Sequence, residues 1–580
     1  MRARQAAGGI SVHAIAGTYV VMLGMDAEEP ARAGLLGFAI ERVDKTENEQ
    51  YWLTGMRTFK SVYPNPPRGA LVSTHEHPIQ DFLWSDFTAK PAHDYVYRVV
   101  PVRGKPKKLE YGTPVEASVQ TERPGHATHS VYFNRGVIGS QAYAREFDNK
   151  DPRDLKGAEQ KRAYDWLSRG LFEAMRDFLR RATGPAWGLR AAVYEFSYDP
   201  IVAEFGQAQT RCKDVKIVYD ARIKTSKGKP DPTEARRVAL TEAGLKKHGL
   251  RKAASATART ATPSAIAHNK FVVLLKDGDP VAVWTGSTNL TESGIYGQSN
   301  VGHVVEDPTV AAAYLAYWKR LQGNPDVPAL RTSNDGVNPD LGPLPAPAGI
   351  SPIFSPRPHD AQGRTMLNWY AGAMDSAARL MCFTAAFGVN QVFLAVLKTP
   401  AQAKDDLRYL FLEKWGVNAK LSAATKADLE RNRHNQVAVG GYLAGDVLHE
   451  YLKDRWAIER ANPLSQNVRY THTKYMLVDP LGDDPVVISG SANFSEASTI
   501  TNDENMLVIR GDRRVADIYL GEFMRLWRHY SFRTIVNAKA DAVTGAEHGY
   551  EPNYLDETPG WASGFYAKGT LKEQRRLTFR

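Results

Sequence analysis

At 580 residues the chain exceeds what a single hydrophobic core organises, so two or three domains are expected. With 43% hydrophobic and 24% charged residues it is of ordinary globular composition; its only cysteines, Cys212 and Cys382, are too few for a disulfide framework or a cysteine metal site and suit a reducing, cytoplasmic setting. The net charge of +10 favours a polyanionic partner, while the lack of long apolar runs and of CxxC or HExxH clusters argues against a transmembrane helix, a metal or another cofactor.

The first residues, MRARQAAGGISVHAIAGTYVVMLGM, place two arginines ahead of an apolar run broken by Gly8, Gly9, Ser11, His13, Gly17 and Thr18. A secretory leader has a compact apolar block, so this run reads as a first β-strand. Further strands are expected at GLLGFAIERV, YWLTGMRTF, DFLWSDFT, DYVYRVVPV and EASVQTE, and such spacing predicts a β-sandwich over residues 1–122. The segment DYVYRVVPVRG, with Tyr95 and Tyr97 alternating ahead of valines, resembles the penultimate strand of a fibronectin type III domain. A sandwich that buries its own core predicts that residues 123–580 fold without it.

From about 125 strands alternate with helices. Residues 160–182 place Trp166, Leu167, Leu171, Phe172, Met175, Phe178 and Leu179 at helical spacing, which predicts one amphipathic helix. The strands GLRAAVYEF and VKIVYD are nearly continuous apolar runs, as in sheets covered on both faces. Between Arg222 and Lys252 ten Lys/Arg stand against three acids, either a solvated face or an electropositive lip. Residues 323–350 carry six prolines and read as a linker without helix or strand. It joins a first half, 123–322, to a second, 351–535, where a helix near 364–377, strands at ARLMCFTAAF and LRYLFLEKW, and a closing helix, VADIYLGEFMRLWRHY, repeat the alternation. The tail, 536–580, has apolar anchors but no assigned role.

One pattern occurs in both halves. Residues 470–505 contain His472, Lys474, Asp479, Gly490, Ser491, Asn493 and Glu504; residues 268–300 contain His268, Lys270, Gly286, Ser287, Asn289 and Asn300. The offsets 472 − 268 and 493 − 289 both equal 204. Two residues apart on one β-strand, His and Lys share one face, and the Ser and Asn of GSxN fall where a strand gives way to a turn, suited to donors aimed at an oxyanion.

HxKxxxxD followed by GSxN, twice in one chain, resembles the phospholipase D superfamily. The resemblance spans roughly 125–535 and implies two pseudo-symmetric α/β halves with covered mixed sheets that build one active site across a pseudo-twofold axis. It implies that both histidines face one phosphodiester, one as nucleophile and one as general acid, with Lys270, Lys474, Asn289 and Asn493 on the phosphate and Ser287 and Ser491 in support. The first motif departs from the pattern, with Leu275 where the second half has Asp479, and Gln298-Ser299-Asn300 where it has Asn502-Asp503-Glu504. By resemblance to the tyrosyl-DNA phosphodiesterase branch, Glu504 would orient His268 as nucleophile, and Gln298 or Asn300 would orient His472 as general acid. The implied activity is hydrolysis or transfer on a phospholipid, with a metal-independent nuclease on DNA or RNA and a non-catalytic phosphate-binding protein as alternatives. An anionic membrane surface suits the same charge.

Overall fold

The computed structural model describes the chain except residues 126, 253, 338–340, 360–364, 400–405, 417, 444–455, 465–467 and 542–553. It is an α/β protein with a small antiparallel β-sandwich at the N-terminus and two sheet-rich halves. In the first half the strands run, edge to edge, His129–Phe133, Val301–Val305, Asp279–Gly286, Lys270–Lys276, Trp187–Val193, Val215–Asp220 and Ala256–Arg259. In the second half they run Gly349–Ser355, Glu504–Arg510, Val486–Gly490, Tyr475–Val478, Leu380–Ala385, Leu407–Leu412 and Asn435–Val439. The order is the same, and so is the mixture: four antiparallel neighbours followed by two parallel pairings. All six residues of Leu380–Ala385 and of Leu407–Leu412 are buried, as expected of strands covered on both faces.

Each half closes with a helix that also meets the other half. Pro308–Gln322 lies on its own sheet and against the strand Gly349–Ser355, while Arg513–Asp541 lies on its own sheet and against His129–Phe133. Tyr314, Tyr317 and Trp318 from the first helix and Tyr519, Phe523 and Leu526 from the second share one apolar core with Phe271, Tyr475 and Phe354. The halves are therefore joined by a common interior rather than hinged on the linker.

Several sequence expectations change. The single helix over 160–182 is two, Gly157–Ser168 and Leu171–Arg180. The break falls at Arg169 and Gly170, both at positive φ, where Arg169 turns inward to pair with buried Glu522 at 2.7 and 3.0 Å. A buried ion pair outweighs helical periodicity that alone would have run on. Within the expected linker, Val327–Val337 is a helix. Pro328 suits a first helical turn, Asp326 caps the Ala329 amide at 2.9 Å, and Leu330 is buried in the shared core; residues 338–340 of that stretch lie outside the described ones. The first expected strand is three, Arg2–Ala7, Ile10–Ala16 and Val21–Ala27, paired as consecutive hairpins.

The sandwich does not bury its core unaided. Trp561, Ala562 and Phe565 of the tail complete its interior, with the Trp561 indole donating to the Leu35 carbonyl at 2.9 Å. Ile15, Val20, Met22 and Leu83 on its other side belong to the core shared by the halves, as does Phe579. Arg2 reaches Asp517 at 2.8 Å. This packing runs against independent folding of 123–580, since removing residues 1–122 would expose both interiors. Among the described residues, no helix is long and apolar enough to cross a membrane.

Candidate functional site

The site lies where the halves exchange backbone. Ala267 bridges Asp503 and Thr471 bridges Ser299 in parallel, and the His268 and His472 amides donate to the Asp503 and Ser299 carbonyls at 2.9 and 3.1 Å. The histidines thus stand just before their strands, on extended backbone held by the opposite half, not within the ladder as the alternation alone implies. Each segment is also fastened at its back by a buried carboxylate. Asp220 accepts the Ala267 amide at 3.1 Å, and Glu413 accepts the Arg469, Tyr470 and Thr471 amides at 2.7, 3.0 and 2.9 Å. Burial raises both carboxyls, Asp220 to about 6. Neither was singled out from sequence, although VKIVYD and LRYLFLE both end an apolar strand on an acid.

His268 Nδ1 lies 2.9 Å from both carboxylate oxygens of Glu504, which also accepts from Ser491 Oγ at 2.6 Å. His472 Nδ1 lies 2.9 Å from Asn300 Oδ1, which also accepts from Ser287 Oγ at 2.8 Å. The two constellations correspond residue for residue at an offset of 204, with a carboxylate in one and an amide in the other. Two assignments change as a result. Gln298 donates instead to the Val468 carbonyl at 2.8 Å, and Asn300 is the side chain that meets His472 Nδ1. The Ser287 and Ser491 hydroxyls donate to the histidines' partners rather than into a phosphate position. The glycines before them are required by space, because a Cβ on Gly286 would lie 2.2 Å from the Val301 carbonyl oxygen and one on Gly490 2.2 Å from that of Asn505.

The cationic part is equally enclosed. Lys270 and Lys474 are 3% and 0% exposed, and each folds onto the carbonyl of its own motif histidine, Lys474 at 2.5 Å. Burial lowers Lys270 to about 8 against the raising pull of Glu504, Glu195 and Asp220; burial and Lys270 hold Lys474 well below the usual lysine range. Burial, then the lysines, holds both histidines well below their ordinary value, and burial raises Glu504 to about 8. A neutral His268 whose Nδ1–H faces Glu504 leaves its Nε2 lone pair directed elsewhere. An anion arriving between the lysines reverses the balance by favouring every protonated cation around it.

Asn289 donates Nδ2 to Glu195 at 2.6 Å; the Oδ1 atoms of Asn289 and Asn493 are buried without a hydrogen-bond partner. The Tyr194 ring lies 4.9 Å from that of His268 and 5.3 Å from the Lys270 ammonium. Tyr194 and Glu195 also escaped the sequence reading, since both sit in an unremarkable strand end. Behind the site, Asn505 accepts from Thr285 and Tyr314 at 2.6 and 3.0 Å and donates to Asn269 at 2.8 Å, tying the halves by a buried polar chain. Asp503 is fully buried between Arg222 and Arg259, each at 3.0 Å. Arg222 thereby leaves the basic run that read either as a solvated face or as an electropositive lip, and Arg237, Lys247 and Arg251 are paired with Asp220, Asp199 and Glu242. Asp479 does not enter the site; it accepts the Ala378, Arg379 and Leu380 amides. Far from the site, on the sandwich, Asp44, Glu47 and His93 bring one donor atom each within 4.8 Å of one another; Asp44 is already engaged by His93 at 2.8 Å.

Fold and site together define a pseudo-twofold α/β chain in which duplicated His–Lys–Asn sets converge on one buried, cationic centre. Residues 179–322 and 425–527, one segment in each half, match the family described as "Cardiolipin synthase, PLD-like domain", which supports the phospholipase D superfamily. A curated relative, "Mitochondrial cardiolipin hydrolase" of Xenopus tropicalis, is 42% identical over 65 residues, 11% of this chain, which spans only 29% of the relative's length. Among solved structures, phosphatidylserine synthase of Haemophilus influenzae is similar at 13% identity and TM-score 0.41, covering 65% of this chain and 93% of that one. Yeast tyrosyl-DNA phosphodiesterase is similar at 14% identity and TM-score 0.33 over 59% and 88%, and Nuc of Salmonella typhimurium at 17% and 0.21 over 31% and 94%.

Proposed function

We propose that this chain is a phospholipase D-type phosphodiesterase that hydrolyses, or transfers, the phosphodiester of a phospholipid through a covalent phosphohistidine. The observation that carries the reading is the pair of histidines with unlike partners, His268 on Glu504 and His472 on Asn300. A phosphodiester is anionic and repels nucleophiles, so its non-bridging oxygens must first be neutralised. Lys270 and Lys474, with the Asn289 and Asn493 amides, meet that need by charge-assisted and neutral hydrogen bonds, the work a metal would otherwise do. His268 then attacks phosphorus through Nε2; as its ring becomes cationic, the Glu504 carboxylate stabilises the Nδ1–H. His472, charged once the anion has bound, gives its Nε2 proton to the leaving oxygen. Asn300 holds it as an amide can, without favouring the charged ring as a carboxylate would. The deprotonated His472 next takes a proton from water, which attacks the phosphohistidine and frees His268. An acceptor alcohol in place of water gives transfer.

The lipid assignment draws on the names of the matched family and relative, both concerned with cardiolipin. A nuclease is the second reading, favoured by the net charge of +10; the ion pairs that absorb Arg222, Arg237, Lys247 and Arg251 weaken it. The deciding experiment incubates the purified chain with labelled phospholipid vesicles and, separately, with single- and double-stranded DNA and RNA, with EDTA throughout. Release of headgroup or of phosphatidic acid is the expected result. Cleavage of nucleic acid alone transfers the reading to the nuclease, and binding without turnover leaves a phosphate-binding protein.

A further inference from the structure

Beyond the strands that flank the motif strands, the two halves carry unlike residues at equivalent positions, and at one of them the difference is a charge. Val272 and Met476 correspond at the offset of 204, Val272 pairs with Ala191, and Met476 pairs with Phe383. Four residues beyond these partners lie Glu195 and Phe387. Phe387 is 50% exposed, whereas the Glu195 carboxylate turns inward to accept the Asn289 amide at 2.6 Å. That contact sets the amide's orientation, since the reverse would place its oxygen against a carboxylate. One Nδ2–H is then fixed on Glu195, and the second is directed by it. The groups facing Glu195 are Lys270, Arg237 and Lys474, with Tyr194 beside them.

We propose that Glu195 is a positioning residue of the phosphate clamp, aiming the Asn289 amide and adding an acidic group beside the two motif lysines. The proposal rests on the phosphodiesterase reading and deepens it. Two ammonium groups buried beside two imidazoles repel one another, and without a negative charge one would shed its proton. Glu504, whose carboxyl burial raises to about 8, is engaged by His268 and Ser491. Asp220 is engaged by Arg237 and the Ala267 amide. Glu195 is the carboxylate joined to a motif asparagine, and it has no counterpart in the second half, where Phe387 stands.

The test compares wild type, Glu195→Gln and Glu195→Ala in turnover of bis(p-nitrophenyl) phosphate from pH 6 to 10. Loss of both functions in the Ala variant should lower kcat roughly tenfold at pH 7, less than outright loss of an oxyanion donor. Gln still accepts from Asn289 and should recover kcat to within about threefold at pH 7, as expected if aim is what the amide needs. It does not restore the charge. With Glu195 neutral the lysines lose protons more readily, so the basic limb of kcat/KM should move to lower pH by about half a unit or more in both variants. Wild-type kcat in Glu195→Ala, an unmoved basic limb, or an effect confined to KM would overturn the proposal. Calorimetric titration with inorganic phosphate separates this from the activity reading. If wild type turns over no phosphodiester, that reading fails, but weaker phosphate binding by Glu195→Ala with recovery in Glu195→Gln at pH 7 still supports the role, and equal affinity in all three still overturns it.

Discussion

The first and second halves repeat one sheet, one closing helix and one motif, yet they are not interchangeable. At the histidine partner the first half contributes Asn300 and receives Glu504, whereas the second contributes Glu504 and receives Asn300. Beyond the strand that flanks the motif strand the first has Glu195 and the second Phe387; at the outer end of the motif strand the first has Leu275 and the second Asp479. The shared parts are those that make a cage: backbone exchange between halves, a carboxylate fastening the backbone segment that leads into each histidine, a glycine under each serine. The unshared parts set charge. A duplicated scaffold supplies geometry twice, and single substitutions within it set the two halves apart in charge.

The division is broken most severely at the histidines. His268→Ala is expected to abolish turnover on every substrate, because on the proposed mechanism no phosphohistidine can form. His472→Ala should lose about 10²–10⁴-fold on an ester with a poor leaving group. On p-nitrophenyl esters it should regain much of its first-step rate and accumulate the covalent intermediate. Acid-labile phosphate trapped on His472 would reverse the two roles. Next come the lysines, which the halves share: Lys270→Met and Lys474→Met should each lower kcat by roughly 10²-fold or more. In wild type, with Lys270 lowered to about 8 in the free protein, its charge is present below that pH and lost above it, so kcat/KM should fall on the basic side from near pH 8. A plateau running to pH 10 would show that the lysine charge is not required.

What the sequence made legible was what repetition amplifies. His268, Lys270, Asn289 and their partners stood out because a fixed offset relates five positions, a signal no single strand carries. The covered sheets were readable from continuous apolar runs such as LRYLFL, for the same reason that they are buried. What stayed hidden depends on pairings hundreds of residues apart. The break at Arg169 answers to Glu522, and the role of the tail answers to the unfilled interior of the sandwich; neither has a local cue. Glu195 and Tyr194 are invisible for the opposite reason: the motif offset of 204 does not relate them to anything alike, and the strand register that equates Ala191 with Phe383 sets unlike residues, Phe387 and Ala386, opposite them in the second half. Choosing between Gln298 and Asn300 needed the direction of each side chain, and the structure gives Asn300 to the histidine.

Exchanging the unlike partners sharpens the comparison at a smaller scale. Glu504→Gln removes the carboxylate partner of His268, the proposed nucleophile, and should cost roughly 10–100-fold in kcat. Asn300→Asp adds one behind the acid, raising the proton affinity of His472; it should slow esters with poor leaving groups while sparing p-nitrophenyl esters. Equal losses on both substrate types in both variants would mean that the partners only hold ring orientation and do not distinguish nucleophile from acid.

The smallest effect is expected where the halves differ outside the site. Asp479 accepts three backbone amides, those of Ala378, Arg379 and Leu380, at 2.7, 2.7 and 3.0 Å, and so fastens the motif strand to the turn that leads into its neighbour. Two of these contacts are solvent-exposed, so water replaces part of what Asp479→Ala removes, and the cost should be about 1–3 kcal/mol of stability. Leu275, its counterpart, is 3% exposed in the core between the halves, and Leu275→Ala should cost about 2–5 kcal/mol through lost burial and a cavity. One half thus secures this strand end by hydrogen bonds and the other by packing, and neither device touches the reacting groups. Denaturant unfolding should therefore show both losses, while kcat per folded molecule stays at the wild-type value. An Asp479→Ala protein that unfolds like wild type but turns over tenfold more slowly would place Asp479 in the catalytic machinery after all, and would mean that the two halves differ in chemistry at this position as well as in architecture.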